Sequence, residues 1–596
     1  MSRTDLLEPD TDQGVAQADK TPPTAGDRPA AVPLSRGQRA LWFLDRLAPA
    51  SGAYVIAAAG RVVGDVDPDA LEAALQSLVE RHEALRATFA EADGEPVQRV
   101  AARMPVPLGR VDAGDRSEAD LEQALADEAF RPFDLEHGPL VRLTLFERGA
   151  GRDDLVVFAI HHLISDLWSL AVLLRELGAF YDGEGPLPPL ETSYADLVAR
   201  QEERIAGADG EELLELWKRE LAGRPESLDL PTDRRRPPTR GHRGAAASFR
   251  LGAEHWKRLR KVGRSRGANP FVTGLAALQA LLHRLTGQDD LLVGTPTAGR
   301  RSGDVSDLVG YCVNPVVVRA DASGDPSFGD FLERVRDAGK RAFEHQDLPF
   351  PLLVEHLEPG RDASRPPIFQ VLFTLQRSRL GVGEGMSGFA LGEPGARLEL
   401  GSLTVESVRL EPRGAQFDLS VFAAEVGGEL WGSLVYDRDL FERTTMRRTA
   451  ARLRRLLEEV AADPDRPLSE LSLLAPAERQ QLLVEWSGAS ERGRPAAGEG
   501  PERLDALVRS RAAAIPDAVA VVTGGARLSY GELARRAAAL AGRLRRVLTG
   551  LGAASEVPSE VPFEVRIGVC VPRGPEMVVS LLGVLEAGGA YVPLDA

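Results

Sequence analysis

Residues 155–180 read "LVVFAIHHLISDLWSLAVLLRELGAF", and this stretch limits the fold more than any composition figure does. "LVVFAI" (155–160) is a continuous apolar run rich in β-formers, which predicts a buried strand. "LWSLAVLLRELGAF" (167–180) is long and apolar, which predicts a buried helix. A buried strand that hands directly to a buried helix belongs in an α/β fold. The polar break between them holds His161, His162 and Asp166, so these three sit on a strand–loop–helix junction.

The surrounding chain reads the same way. "DPDALEAALQSLVERHEAL" (67–85) puts Ala70, Leu71, Ala74, Leu75, Leu78 and Val79 on one helical face, with Asp67 as N-cap and Pro68 in the first turn. Strands are predicted at 290–296, 314–320 and 369–376, and a hairpin over 417–437 that turns at Gly427-Gly428. Helices are predicted near 211–222, 254–286, 327–343 and 440–460. At 596 residues the chain exceeds a single core. The divisions read from it are a disordered tail over 1–30, one α/β lobe over 31–205, a second over 206–470, a linker over 471–502 and a new α/β pattern over 503–596. No internal repeat of 20–50 residues is visible.

A formal net charge of −17 with no offsetting basic stripe argues against nucleic acid as a partner. Cys312 and Cys570 are too few and too far apart for a disulfide framework or a zinc site. No apolar run is long enough for a membrane span, and the N-terminus lacks the basic start and apolar stretch of a signal peptide, so the chain reads as cytoplasmic. Arginine far outnumbers lysine, of which there are five; with the many alanines and glycines this points to a GC-rich bacterial genome.

Side chains alternate along a strand, so only one of His161 and His162 can face a given site if the strand persists to its end. The other must pack or hydrogen-bond behind it, which argues against a metal held by both. A histidine at a strand end suits a general base near pH 7, and equally a satisfied structural group. Asp166 fits either a cap on the helix that begins at Leu167 or the partner of a cation.

Seven stretches, in order, resemble the motifs of the condensation domains of nonribosomal peptide synthetases. They are "LSRGQRALWFLDRL" (34–47), "RHEALRATF" (81–89), "IHHLISDLWS" (160–169), "YADLVARQ" (194–201), "VGYCVNPVVVR" (309–319), "HQDLPF" (345–350) and "RDASRPPIFQVLF" (361–373). The third is similar to the family's HHxxxDG. Further on, "LSYGEL" (528–533) and "LEAGGAYVPLDA" (585–596) resemble the first motifs of an adenylation domain, and the family's phosphate-binding loop, substrate pocket and catalytic lysine are expected beyond residue 596.

The resemblance implies two chloramphenicol acetyltransferase-like lobes arranged as a V, with a tunnel between them. It implies that His162 faces the tunnel with His161 behind it, and that Asp166 pairs with Arg300 of "TPTAGRR" (295–301), Arg301 being the neighbour it is easily confused with. His162, His161 and Asp166 form the expected catalytic set. Ser165, Leu167, Trp168, Tyr311 and Asn314 are expected to support it, the last two as tunnel wall or floor, with strand-edge packing as the bland alternative. Gln346 and Asp347 are expected to hold a crossing loop, and Trp42 and Phe43 to be core aromatics.

The implied reaction is attack of an acceptor amine on a donor thioester, forming an amide. Substrates come on the phosphopantetheine arms of two carrier proteins, an upstream peptidyl or acyl carrier on another polypeptide and a downstream peptidyl carrier. No tightly bound cofactor or metal is implied, and the chain reads as a monomer. An epimerisation domain shares the histidine motif, but the other motifs and the adenylation start favour condensation. A non-catalytic recruitment module usually loses the motif histidines, and both are present. Leu167 departs from the family's glycine, so the backbone there must be ordinary; the side chain either packs or narrows the donor side, as in members that receive acyl or polyketide donors.

Overall fold

The computed structural model describes residues 30–49, 51–149, 151–300, 303–357, 362–376, 385–486, 503–523, 526–550 and 565–595. Residues 1–29 of the expected tail, Arg301 and half of the expected linker (487–502) lie outside the described residues. The chain divides into two units at Ala475/Pro476.

The first unit is built on two six-stranded sheets. In one, the order is Arg397–Leu400, Leu403–Ser407, Val55–Val63, Leu155–His161, Val141–Glu147 and Gly109–Asp112. In the other it is Asn314–Asp321, Asp290–Thr297, Val371–Gln376, Leu419–Val426, Glu429–Asp437 and Gly244–Leu251. Each sheet has its own large apolar cluster. The strand Leu155–His161 lies inside its sheet, paired on both edges, and its side chains are buried except Val156. The helix Leu167–Tyr181 that follows buries Leu170, Val172, Leu173, Leu174 and Leu177, as its near-continuous apolar surface requires.

Most sequence expectations correspond to elements. Asp67 caps Pro68–Arg81 by accepting from the amides of Asp69 and Ala70. Gly427 and Gly428 both take positive φ, +58° and +79°, and close the hairpin Leu419–Val426/Glu429–Asp437. The stretch 254–286 is two helices, Ala253–Ser265 and Pro270–Thr286: Gly267 adopts φ +68°, Asn269 caps the second helix and Pro270 opens it.

Three expectations are corrected. The lobe boundary at 205/206 does not cut the chain cleanly, because Arg397–Leu400 and Leu403–Ser407 join the first sheet, the latter pairing with Val55–Val63. Their inward residues Leu398, Leu400, Leu403 and Val405 complete the first lobe's core. The linker does not begin at 471: Leu471 is buried in the second lobe's core, its carbonyl held by Arg284, and Pro476–Gln480 is already helical. Phe43 is not a core residue. Neighbours on a helix point about 100° apart, so Trp42 faces the core at 3% exposure and Phe43 faces out at 47%.

The second unit contains the helices Leu504–Ala514, Tyr530–Gly550 and Pro575–Glu586, an antiparallel pair Val519–Thr523/Ala526–Ser529 and a parallel pair Arg566–Val569/Ala590–Pro593. Leu528, Leu533, Ala537 and Leu582 form its small core. Among the described residues no helix is long and apolar enough to cross a membrane.

The helix Leu167–Tyr181 touches the crossing strands at Gly178, where a Cβ would lie 2.5 Å from the Leu400 carbonyl carbon. An ordinary helix gains about 1 kcal/mol from Gly→Ala. Here the contact reverses the sign, and Gly178→Ala is expected to lower stability by about 1–3 kcal/mol, as overpacking does. Thermal denaturation of the two proteins checks this; a raised midpoint would contradict the contact.

Candidate active site

The sheet register sets the two histidines. Val55 pairs with His161, so Tyr54 stands opposite His162, whose amide donates to the Tyr54 carbonyl at 2.8 Å. His161 ends the strand and is buried. Its Nδ1 accepts from the Leu163 amide at 3.1 Å, which places the ring proton on Nε2, 3.4 Å from Asp45 Oδ1. Both ring nitrogens are therefore occupied, and His161 has nothing left to offer a substrate. This corrects its place in the expected catalytic set.

His162 opens a single 3₁₀ turn, His162–Ile164. Its Nδ1 donates to the Ser165 carbonyl at 2.7 Å, which leaves Nε2 as an acceptor with no partner among the described residues. The Tyr311 ring stands edge-on to it, 5.1 Å between centroids. Burial pushes the imidazole below its ordinary pKa, against the opposing pull of the Ser165 carbonyl and Asp166. His162 and Tyr311 are both partly buried and keep some accessible surface.

Asp166 combines the two roles read as alternatives. Fully buried, it caps the helix through Oδ1, which accepts from the Ser169 amide at 2.7 Å and the Ser169 hydroxyl at 2.8 Å. Its Oδ2 accepts from Arg300 Nη1 at 2.6 Å and the Cys312 amide at 3.2 Å. Arg300, with its side chain 1% exposed, also donates to the Ser169 hydroxyl and the Leu308 carbonyl. Burial alone would weaken the guanidinium's hold on its proton, but Asp166 outweighs it and raises the pKa. Asp166 thus has no free oxygen for a reacting group. Cys312, whose thiol burial pushes up to about 12, is inert.

The supporting residues separate. Ser165 is fully buried, and its carbonyl anchors His162. Trp168 donates its indole N–H to the Ser306 carbonyl at 2.8 Å. Leu167 begins the helix in an ordinary conformation and packs, partly buried, against the first lobe's apolar cluster. Asn314 does not line the site: its Nδ2 donates to the carbonyls of Gln346 (2.8 Å) and Leu348 (2.7 Å), and its Oδ1 accepts from the Phe350 amide. It staples the 346–350 loop, as Gln346 and Asp347 do through Phe343 and Arg204.

Several residues that hold the junction were not singled out from the sequence. Gln38 donates to the Leu163 carbonyl at 2.9 Å. Glu176, buried in the following helix, accepts from Arg81 at 2.9 Å and faces His82 Nε2 at 2.7 Å. Tyr194 donates to the Tyr311 carbonyl at 2.7 Å. Asp45 and Tyr54 complete the set. Most lie inside the quoted motifs, so the signal was present there; which atom each would reach was not. Among the described residues no cluster of three or more His, Cys, Asp or Glu side chains could hold a metal ion.

Known proteins share this arrangement. The family described as "Condensation domain" matches residues 30–483, and "AMP-binding enzyme" matches residues 508–596. The chain belongs to the condensation-domain family, and its relatives are components of nonribosomal peptide synthetases. A linear gramicidin synthase protein of Brevibacillus parabrevis is 39% identical over 577 residues, which are 95% of this chain and 11% of that protein. Phosphinothricin tripeptide synthetase PhsB of Streptomyces viridochromogenes is 37% identical over 581 residues, 96% of this chain and 46% of that protein. The chain thus spans less than half the length of either relative. A holo four-domain nonribosomal peptide synthetase bound to AMP and glycine matches with TM-score 0.76 at 26% identity, over 95% of this chain and 42% of that one. The X-domain from teicoplanin biosynthesis matches with TM-score 0.65 at 31% identity, over 75% of this chain and 98% of that one. The fold is the chloramphenicol acetyltransferase-like one of these condensation domains.

Removing one member of a buried ion pair strands the other, at a cost of about 3–5 kcal/mol. Arg300→Met is therefore expected to destabilise the first unit by that order, and Asp166→Asn to do likewise. The double variant should be less damaged than the sum of the two. A double-mutant cycle on denaturation midpoints measures the coupling; additive losses would mean the pair does not interact.

Proposed function

We propose that the first unit forms amide bonds: it joins an acyl or peptidyl thioester on one carrier protein to the amine of an aminoacyl group on another. Condensation domains of nonribosomal peptide synthetases act on groups carried by phosphopantetheine arms, and the family membership supports reading that chemistry here. The observation that carries the reading is His162, neutral, with Nδ1 anchored on the Ser165 carbonyl and Nε2 left open.

A free α-amino group titrates near pH 8, roughly, so part of the acceptor is neutral already. Its nitrogen attacks the thioester carbon, the C–N bond forms, and the amine proton passes to His162 Nε2. Collapse of the tetrahedral intermediate breaks the C–S bond, and the thiolate takes the proton from His162. Holding two tethered substrates together contributes several kcal/mol of barrier lowering, roughly. Asp166, Arg300 and Ser165 act by holding His162 in place. Leu167 packs on the core cluster and is assigned no role toward the donor.

A second reading has one observation behind it. The X-domain of teicoplanin biosynthesis, similar to this chain, is known in a solved structure as a complex with OxyB. A recruiting role of that kind would leave His162 without a reaction. The retained pair His161–His162 and the open Nε2 favour catalysis.

The test is reconstitution of the full chain with a loaded donor and a loaded acceptor carrier. His162→Ala is expected to lower amide formation by about 10² to 10⁴ with folding kept. His161→Ala should lower soluble yield more than rate, since His161 holds the Leu163 amide. Absence of amide from wild type would favour the recruiting role.

The pH dependence follows from His162. Its folded pKa is below the ordinary 6.5, so the neutral, proton-accepting form persists under mild acid. The acid limb of the amide-forming rate attributable to His162 is expected below pH 6.5, and it should vanish in His162→Ala. A His162 limb centred above about 7 in a rate–pH profile would contradict the burial effect.

A further inference from the structure

During the proposed reaction the thioester carbonyl oxygen becomes an oxyanion, and an acyl-transfer site needs a donor aimed at it. Five backbone amides around His162 are already taken. Those of His162, Leu163 and Ser165 donate to the Tyr54 carbonyl, to His161 Nδ1 and to the His162 carbonyl. Those of Gly310 and Cys312 donate to the Ser169 hydroxyl and to Asp166. The Asn314 side-chain amide is taken up by the 346–350 loop. The Tyr311 side chain is free to donate: its ring packs T-shaped against His162, and its hydroxyl has no hydrogen-bond partner among the described residues.

We propose that the Tyr311 hydroxyl donates the hydrogen bond that holds the acyl carbonyl oxygen as it becomes an oxyanion. This rests on the reading of the first unit as amide-forming. The side chain is held as such a donor must be. Tyr194 grips its carbonyl, and the flanking amides are pinned to Ser169 and Asp166. The ring rests on Gly37, where a Cβ would come within 2.6 Å of Tyr311 Cε1. Burial, with the phenol of Tyr54 adding to it, raises the Tyr311 pKa, so the O–H stays protonated wherever the amine reacts. Tyr54 is the other phenol near the site, but its ring faces His242, 6.3 Å between centroids, rather than His162.

The experiment uses the full chain with an acyl-loaded donor carrier and an aminoacyl-loaded acceptor carrier, under single turnover. Tyr311→Phe keeps the ring and removes the donor. It is expected to lower the rate about 10²-fold, the loss typical of one oxyanion donor. Half-saturation for both carriers should stay within about twofold and the melting temperature unchanged, because only the transition state loses a contact. The loss should be uniform from about pH 6 to 8, since the phenol does not titrate there. Gly37→Ala, which displaces the ring with the hydroxyl kept, should lower the rate in the same way. It carries the test if Tyr311→Phe does not fold. A Tyr311→Phe rate within about threefold of an active wild type overturns the assignment. If wild type forms no amide, the reading of the unit fails instead, and the assignment with it.

Discussion

The carboxylate of Asp166 has no contact with solvent and four donors around it: Arg300, the Cys312 amide, and the amide and hydroxyl of Ser169. These come from both lobes. The aspartate starts the helix after the histidine strand, the arginine follows the end of Asp290–Thr297, and Cys312 precedes Asn314–Asp321. One buried charge thus fixes three backbone segments against each other. Everything aimed at the proposed reaction hangs from them: Ser165 next to the aspartate anchors His162, and Tyr311 next to Cys312 is held against it. Such a pair contributes less to net stability than its Coulomb energy suggests, because both charges are desolvated. Its value here is geometric.

Much of this was legible because it is local. An apolar strand, a turn and an apolar helix define themselves within one short stretch, and the Asp67 cap and the Gly427-Gly428 turn are read from adjacent residues. The break at 266–269 was also written locally, in Gly267, Asn269 and Pro270, and was obscured only by the apolar periodicity on either side. The pairing of Asp166 with Arg300 came through family resemblance, since nothing in spacing alone brings residues 134 apart together. Asn314 shows the limit. Its place in a motif marks it as constrained, yet whether its amide faces a substrate or a loop carbonyl depends on where residues 346–350 pass. Tyr54 is set by a register between strands a hundred residues apart, which no window of the sequence contains.

The histidines also bear on behaviour in acid. His162 and His242 are both held neutral by burial, His242 down to about 4 with Arg240 adding to the effect. A group whose folded pKa lies below its unfolded value favours the folded chain above the unfolded value and disfavours it as pH falls toward the folded one. For His242 that window runs from about 6.5 down to about 4. His162 is lowered by the same cause, so both histidines put their acid sensitivity below the ordinary 6.5.

The strands Arg397–Leu400 and Leu403–Ser407 complete a sheet whose other members end by residue 161. On a ribosome, more than two hundred residues must emerge after the histidine strand before the edge of Val55–Val63 finds its partner. For that interval the nascent first lobe carries an unpaired strand edge and a gap where Leu398, Leu400 and Val405 will sit. Open edges of this kind invite pairing with other chains. The lobe that bears His162 therefore cannot mature as an independent module during synthesis. It must wait, protected or at risk, for the polypeptide of its neighbour.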